Sequence, residues 1–435
     1  MNNGATPTLP PGPTWPRALQ TVAWGARPGP FMLRCRARYG DMFTLKIAQE
    51  GHWVLTCDPD TVQQVFKGDP RLLHAGEANK VLLPVVGRNS VLLLDEQAHM
   101  SQRKLMLPPF HGKRMARYGE LIADATEREL ASWPSGEPFK LRPRMQDITL
   151  EVIIRAVFGI RDEDRVELMR RALSDSLELT SDWRAMLALA ILGPERLYTW
   201  RFFQREFDTV NELVLDEIAA RRRASDLEER DDILSLLLQG RHEDGGSMSD
   251  AELRDELMTL LVAGHETTAN ALAWAMERLV RHPDKLARLT EEAAAGEDEY
   301  AEAVVKETLR LRPVLPIVVR RLQEPMEIGG RLLPAGCSIT PCIYLMHRRE
   351  DIYPEPHRFR PERFLEQPAG TYTWIPFGGG VRRCLGAAFA QFEMRTVLTT
   401  VVTRLALRPA DERPERVGRR AITLVPNRGA EVVAA

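Results

Sequence analysis

At 435 residues the chain could hold two or three ordinary domains or one large one. Hydrophobic residues make up 44% and charged residues 28%, the balance of a soluble globular protein. A net charge of −2 gives no basic footprint for nucleic acid, and no run of about twenty apolar residues offers a membrane span. Cys35, Cys57, Cys337, Cys342 and Cys384 are few, odd in number and scattered, which suits a reducing compartment. Cys337 and Cys342 lie close together, but no second Cys/His pair stands at zinc spacing, so they read as core or strand residues.

Residues 1–30 read as an extended, Pro/Gly-rich lead without the basic–apolar–small pattern of a signal peptide. Residues 42–47 and 53–57 are predicted as a hairpin, with Gly51 in the turn and Asp58-Pro59 ending it. From about 60 to 310 the periodicity is mostly helical. No repeat or linker interrupts it, and residues 240–247 read as a loop between helices, so residues 31–435 are taken as one domain. Residues 81–86, broken by Pro84, and 186–192, followed by Gly193-Pro194 and an aromatic group, are apolar without a regular amphipathic period. On composition alone they are core beneath loops. Beyond residue 310 the pattern turns Pro-rich and short-stranded, with 327–334 and 337–345 expected as a hairpin and 422–433 as another.

Ser249-x-x-Glu252 is a capping box, and the helix it starts can run to His282, where Pro283 stops it. Such a helix is on the order of 50 Å long, enough to cross a domain. Midway stands Ala263-Gly264-His265-Glu266-Thr267-Thr268. A mid-helix glycine costs about 1 kcal/mol relative to alanine and calls for a close neighbour, for which a flat cofactor is one candidate. A carboxylate and hydroxyl in an apolar helix centre are a second anomaly, for which a back-bonded threonine is the plain explanation.

The second unusual stretch is Phe377-Gly378-Gly379-Gly380-Val381-Arg382-Arg383-Cys384-Leu385-Gly386. A cysteine is most often a small buried hydrophobe. Here four glycines allow close approach to a flat object, two arginines favour a thiolate, and the apolar run beyond suggests a helix starting at the cysteine.

This stretch resembles the Phe-x-x-Gly-x-Arg-x-Cys-x-Gly haem loop of the cytochrome P450 family, with Phe377, Gly380, Arg382, Cys384 and Gly386 at its fixed places. Ala263, Gly264, Glu266 and Thr267 are similar to the family's Ala-Gly-x-(Asp/Glu)-Thr-Thr helix. Glu307-x-x-Arg310 and Pro361-Glu362-Arg363-Phe364 resemble two further elements. The resemblance spans nearly the whole chain and implies a mainly α fold with small β-sheets, its long central helix over the haem and the cysteine loop beneath.

It further implies haem b held by Cys384 as metal ligand, with O2 as co-substrate and Glu266 and Thr267 as the acid–alcohol pair that delivers protons. His99, Arg103, Arg320 and Arg382 would hold the propionates, while Ala263, Gly264, Phe377, Gly380 and Gly386 would line the cofactor. Glu307, Arg310 and Arg363 would form a buried structural triad. His265 fills a variable place and is not taken as a ligand.

The implied activity is monooxygenation of a mostly apolar small molecule, at a C–H or double bond. Residues 313–319 and the two apolar loops would line that molecule's site. Electrons would come from a separate ferredoxin or flavodoxin with its reductase, steered by Arg383 and Arg395. A cytoplasmic monomer without a transmembrane anchor is expected. A haem-thiolate isomerase, dehydratase or peroxygenase, and a non-enzymatic sensor or carrier, stand as alternatives.

Overall fold

Residues 6–110, 114–179 and 183–434 are described in a computed structural model; the first five residues of the N-terminal lead, and Ala435, lie outside them. The lead is not extended throughout. Beyond Pro16 it forms helices α1 (Arg17–Ala26) and α2 (Pro28–Tyr39). Its prolines stand where a helix tolerates them, Pro16 at the N-cap and Pro28 at the first position, so Pro content misled the expectation.

The strands are β1 (Met42–Ile47), β2 (Gly51–Thr56), β3 (Leu73–His74), β4 (Pro138–Lys140), β5 (Arg320–Leu322) and β6 (Met326–Ile328). They continue with β7 (Arg331–Leu333), β8 (Ser338–Pro341), β9 (Leu407–Pro409), β10 (Val417–Arg420), β11 (Thr423–Pro426) and β12 (Glu431–Ala434). β1 and β2 form the expected hairpin from Met42↔Thr56 to Ile47↔Gly51, with Gly51 opening β2 at φ 83°. Their sheet has the order β1-β2-β8-β5-β3.

The later hairpins are drawn differently from expectation. β6 pairs with β7 across Gly329-Gly330, whose φ of 57° and 71° suit a two-residue turn. β8 instead joins β2 in parallel and β5 antiparallel, and residues 343–346 form a helical turn. Every residue of β8 is buried, as a two-sided central strand requires. Likewise β11 pairs back to β10, while β12 lies between β4 and β9.

The helices that build the site are α3 (Pro59–Lys67), α4 (Glu96–Met106), α5 (Leu141–Phe158), α6 (Asp250–Val280), α7 (Glu299–Leu311) and α8 (Ala387–Arg404). α6 is the predicted central helix. Ser249 accepts from Glu252 N while Glu252 reaches back to Ser249 N at 2.8 Å, and the helix stops just before Pro283. Its 31 residues pack into one large apolar core with Ile148, Ile154 and Val157 of α5 and Val397, Leu398 and Val401 of α8.

Of the two apolar loops, 81–86 is made of short helical turns with Leu83 and Val86 buried. Residues 186–192 fall within a helix, Trp183–Thr199, that breaks at Gly193 (φ 76°).

Candidate functional site

The cysteine loop is shaped by α3. The Gly378 and Gly380 φ angles are 66° and 65°, a region other residues resist. A side chain on Gly379 would strike the Phe66 ring, and one on Gly380 would strike Phe66 O. Glycine is therefore required by packing as well as by conformation. The loop closes through Cys384 N to Phe377 O at 3.0 Å, and Phe377 leans edge-on against Trp374. α8 begins at Ala387, three residues beyond the cysteine, with Gly386 as its cap.

Cys35, Cys57, Cys337 and Cys342 are buried; Cys384 alone is exposed. It is nonetheless enclosed, because burial is the largest influence on it and raises its thiol pKa above the ordinary value. The Gly386 N–H, Arg103 and Arg383 pull the other way. Arg382, expected beside the thiol, turns away. It donates to Val91 O and Leu94 O and pairs with Asp95. An accessible but enclosed thiol, with donors aimed at it, is the setting of a ligand to a bound cation.

Beside it lies a cluster of basic side chains. His99 and Arg103 stand one turn apart on α4, Arg320 opens β5, and Arg382 comes from the cysteine loop. His99 is buried and neutral, held down to about 3 by burial and by Arg382, Arg103 and Arg320. Its Nδ1 finds no hydrogen-bond partner. Burial brings Arg320 down to about 10, and Arg382 near it adds to the effect; Arg382 falls to about 10 for the same first reason. Among the described residues Asp95 is the carboxylate that opposes them, and it also accepts from Gly76 N and Glu77 N. An orphaned imidazole nitrogen among three arginines that outnumber the one carboxylate beside them fits a dianionic group such as the two propionates of a haem.

On α6, Ala263 is exposed and Thr267 half-exposed in the middle of a helix otherwise largely enclosed, so this side faces open space. Thr267 Oγ1 donates to Ala263 O at 2.6 Å, the back-bonded state. At Gly264 a Cβ would meet Ile153 at 3.1 Å, so the glycine also allows the close packing of α5 on α6. His265 points the same way, its Nδ1 3.1 Å from Thr149 Oγ1 of α5.

Glu266 is held apart from Thr267. Its Oε1 lies 3.4 Å from Arg142 Nη2, 3.4 Å from Thr423 Oγ1 and 3.7 Å from Arg420 Nε. The acid and alcohol are thus not in contact with each other. Thr268 is buried, with its hydroxyl near enough to Glu393 of α8 to oppose the rise that burial imposes on that carboxyl's pKa. Asp95, Arg142, Arg420 and Glu393 were not singled out from the sequence; Glu393 had a signal, being a lone acid in the apolar α8.

The triad forms as expected. Arg310 grips Glu307 with two bonds, of 2.7 and 2.9 Å, and Arg363 Nε lies 3.1 Å from Glu307 Oε2. Of the arginines expected to steer a partner, Arg383 is exposed without an ion pair among the described residues. Arg395 is neutralised by Asp298 at 3.3 Å and Glu302 at 3.1 Å. Among the described residues no helix is long and apolar enough to cross a membrane.

The cytochrome P450 family model matches residues 7–432. A putative cytochrome P450 135B1 of Mycobacterium tuberculosis is 42% identical over 99% of this chain and 92% of its own length. A putative cytochrome P450 137 of the same species is 38% identical over 97% and 90%. Among solved structures, a retinoic acid-bound cyanobacterial CYP120A1 superposes with a TM-score of 0.84 at 21% identity, covering 99% of this chain and 100% of that one. The haem domain of cytochrome P450DA gives 0.83 at 23%, over 98% and 97%.

Proposed function

The chain belongs to the cytochrome P450 family, a haem-thiolate monooxygenase by that membership, and from this premise we propose how its own residues divide the work. The haem, when bound, supplies oxygen activation and transfer of one oxygen atom to a C–H or double bond. Cys384 is its ligand. The Gly386 N–H and the charges of Arg103 and Arg383 favour the thiolate once a metal cation offsets its burial. His99, Arg103, Arg320 and Arg382 hold the propionates of the haem, which we take to be haem b. Phe377, Gly380 and Gly386 shape the cysteine side, and Ala263 lines the other.

Thr267 holds the proton nearest the reacting oxygen, its hydroxyl turning from Ala263 O to do so. Glu266 resupplies that proton from the side of Arg142 and Arg420, which position it. The two act in sequence, as general acid catalysis requires. The substrate is a mostly apolar small molecule against Leu315, Ile317 and Val318, which sit partly buried beside the loop. Electrons come from a separate ferredoxin or flavodoxin with its reductase, with exposed Arg383 on the approach. We assign the protein to the cytoplasm as a monomer.

The observation that carries this reading is the enclosed yet accessible Cys384 beside four basic side chains and one carboxylate. Its test is the absorbance of the reduced, carbon monoxide-bound protein. Wild type should show the long-wavelength band of thiolate ligation, and Cys384→His should lose it. A variant that kept the band would move the ligand to another cysteine.

A further inference from the structure

α1 is built inside out. Trp15, Ala18, Leu19, Val22, Gly25 and Ala26 follow helical spacing and all are exposed. Trp15 is 48%, Leu19 57% and Val22 65% open to solvent. The polar side of the helix is the buried one. Gln20 is wholly buried, donating to Pro13 O and Trp15 O and accepting from Lys46 N, while Thr21 accepts from Ala48 N. Trp24, on that side, packs edge-on to Trp53 at 5.4 Å. Because every polar atom of Gln20 is satisfied, the orientation is fixed by the fold, and a continuous apolar stripe is left outside.

The charge around it is one-signed. Residues 1–40 contain five arginines and no aspartate, glutamate or lysine, in a chain whose net charge is −2. Arg36 pairs with Asp41. Arg17, Arg27, Arg34 and Arg38 are exposed and enter no ion pair among the described residues. Arg27, Arg34 and Arg38 share one face of α2, which packs on α1. A second feature extends the patch. Arg419 of β10 donates to Trp24 O, bringing to the end of α1 a hairpin with exposed Val417 and Ile422.

We propose that α1 and α2 form a docking surface for an anionic lipid bilayer, with Trp15, Leu19 and Val22 in the interface and the arginines on lipid phosphates. An apolar helix stripe bordered by unpaired arginines is the pattern that binds such surfaces. A second copy of the chain fits worse, since a two-fold contact would set these arginines against themselves. The inference rests on none of the catalytic assignments.

The test is co-sedimentation of the haem-loaded chain with vesicles of phosphatidylcholine alone or mixed with phosphatidylglycerol. Binding should need the anionic lipid and weaken with salt. Leu19→Ser/Val22→Ser should lower partitioning at least about tenfold, with haem content and helical circular dichroism unchanged. Arg34→Gln/Arg38→Gln should erase the preference for anionic vesicles. Absence of vesicle binding, or binding indifferent to the Leu19/Val22 change, would overturn the proposal. So would a dimer in sedimentation velocity that the same change dissociates.

Discussion

Thr267 and Thr268 are neighbours in sequence with opposite duties. Thr267 faces open space, and its hydroxyl bonds a carbonyl of its own helix. Removing that hydroxyl orphans nothing, because Ala263 O keeps its helical partner. Thr267→Ala should therefore retain fold, haem and the thiolate band while product per NADPH falls and hydrogen peroxide rises. The general acid contribution at stake is typically 10²–10⁴-fold. Thr268 serves buried Glu393, whose Oε1 already lacks a hydrogen-bond partner. Thr268→Ala should cost about 1–3 kcal/mol, seen as a lower thermal midpoint with coupling preserved, and Thr268→Ser should restore it. Uncoupling by Thr268→Ala together with normal coupling in Thr267→Ala would exchange the two roles. The motif implies the duty of Thr267; direction around the helix decides that of Thr268.

At the scale of elements, two polar joints hold the site's walls. Arg310 of α7 joins Glu307 to the carbonyls of His347, Pro356 and Arg358, and Glu307 accepts from Arg360 N, so one pair ties down a long irregular segment. Arg310→Ala leaves a buried carboxylate short of its main partner, a loss of about 3–5 kcal/mol. Haem-loaded soluble protein should nearly vanish, and Arg310→Lys should not rescue it, lacking the planar fork. Normal haem per chain in either variant would refute a structural triad. The second joint is Glu256 of α6, which accepts from Val91 N at 2.7 Å and fixes the segment whose carbonyls hold Arg382. Burial raises its carboxyl pKa to about 8. A raised folded pKa means the folded chain keeps a proton the unfolded chain has released, so this contribution is full below about 4.5 and lost as pH rises towards 8. Between pH 6 and 8 the loss is roughly 1 kcal/mol per unit, tapering as the pH reaches 8. Glu256→Gln should flatten urea midpoints over that window; an unchanged slope would assign the loss elsewhere. The triad was legible because its members fall in short recognisable stretches. Glu256 was not, being one acid among several at the start of α6.

Over the whole molecule, what the sequence made legible is what is local. The cap and stop of α6 and the first hairpin each follow from a few adjacent residues, and each stands as expected. The errors lie where a partner is distant. β8 looked like half of a local hairpin because its neighbour in space, β2, lies about 280 residues earlier. Pairing of β2 with β8, from Trp53↔Ser338 to Thr56↔Pro341, also has a consequence for the timing of synthesis. The β1–β2 hairpin emerges from the ribosome early and keeps one unsatisfied edge until β8 follows. At about 5–20 residues per second that wait is roughly 15–60 s. During it the hairpin is an open edge strand able to recruit other nascent chains. The molecule must cross this gap before its first sheet is safe, which makes the rate of translation, and any chaperone that shields the edge, part of how much enzyme a cell obtains.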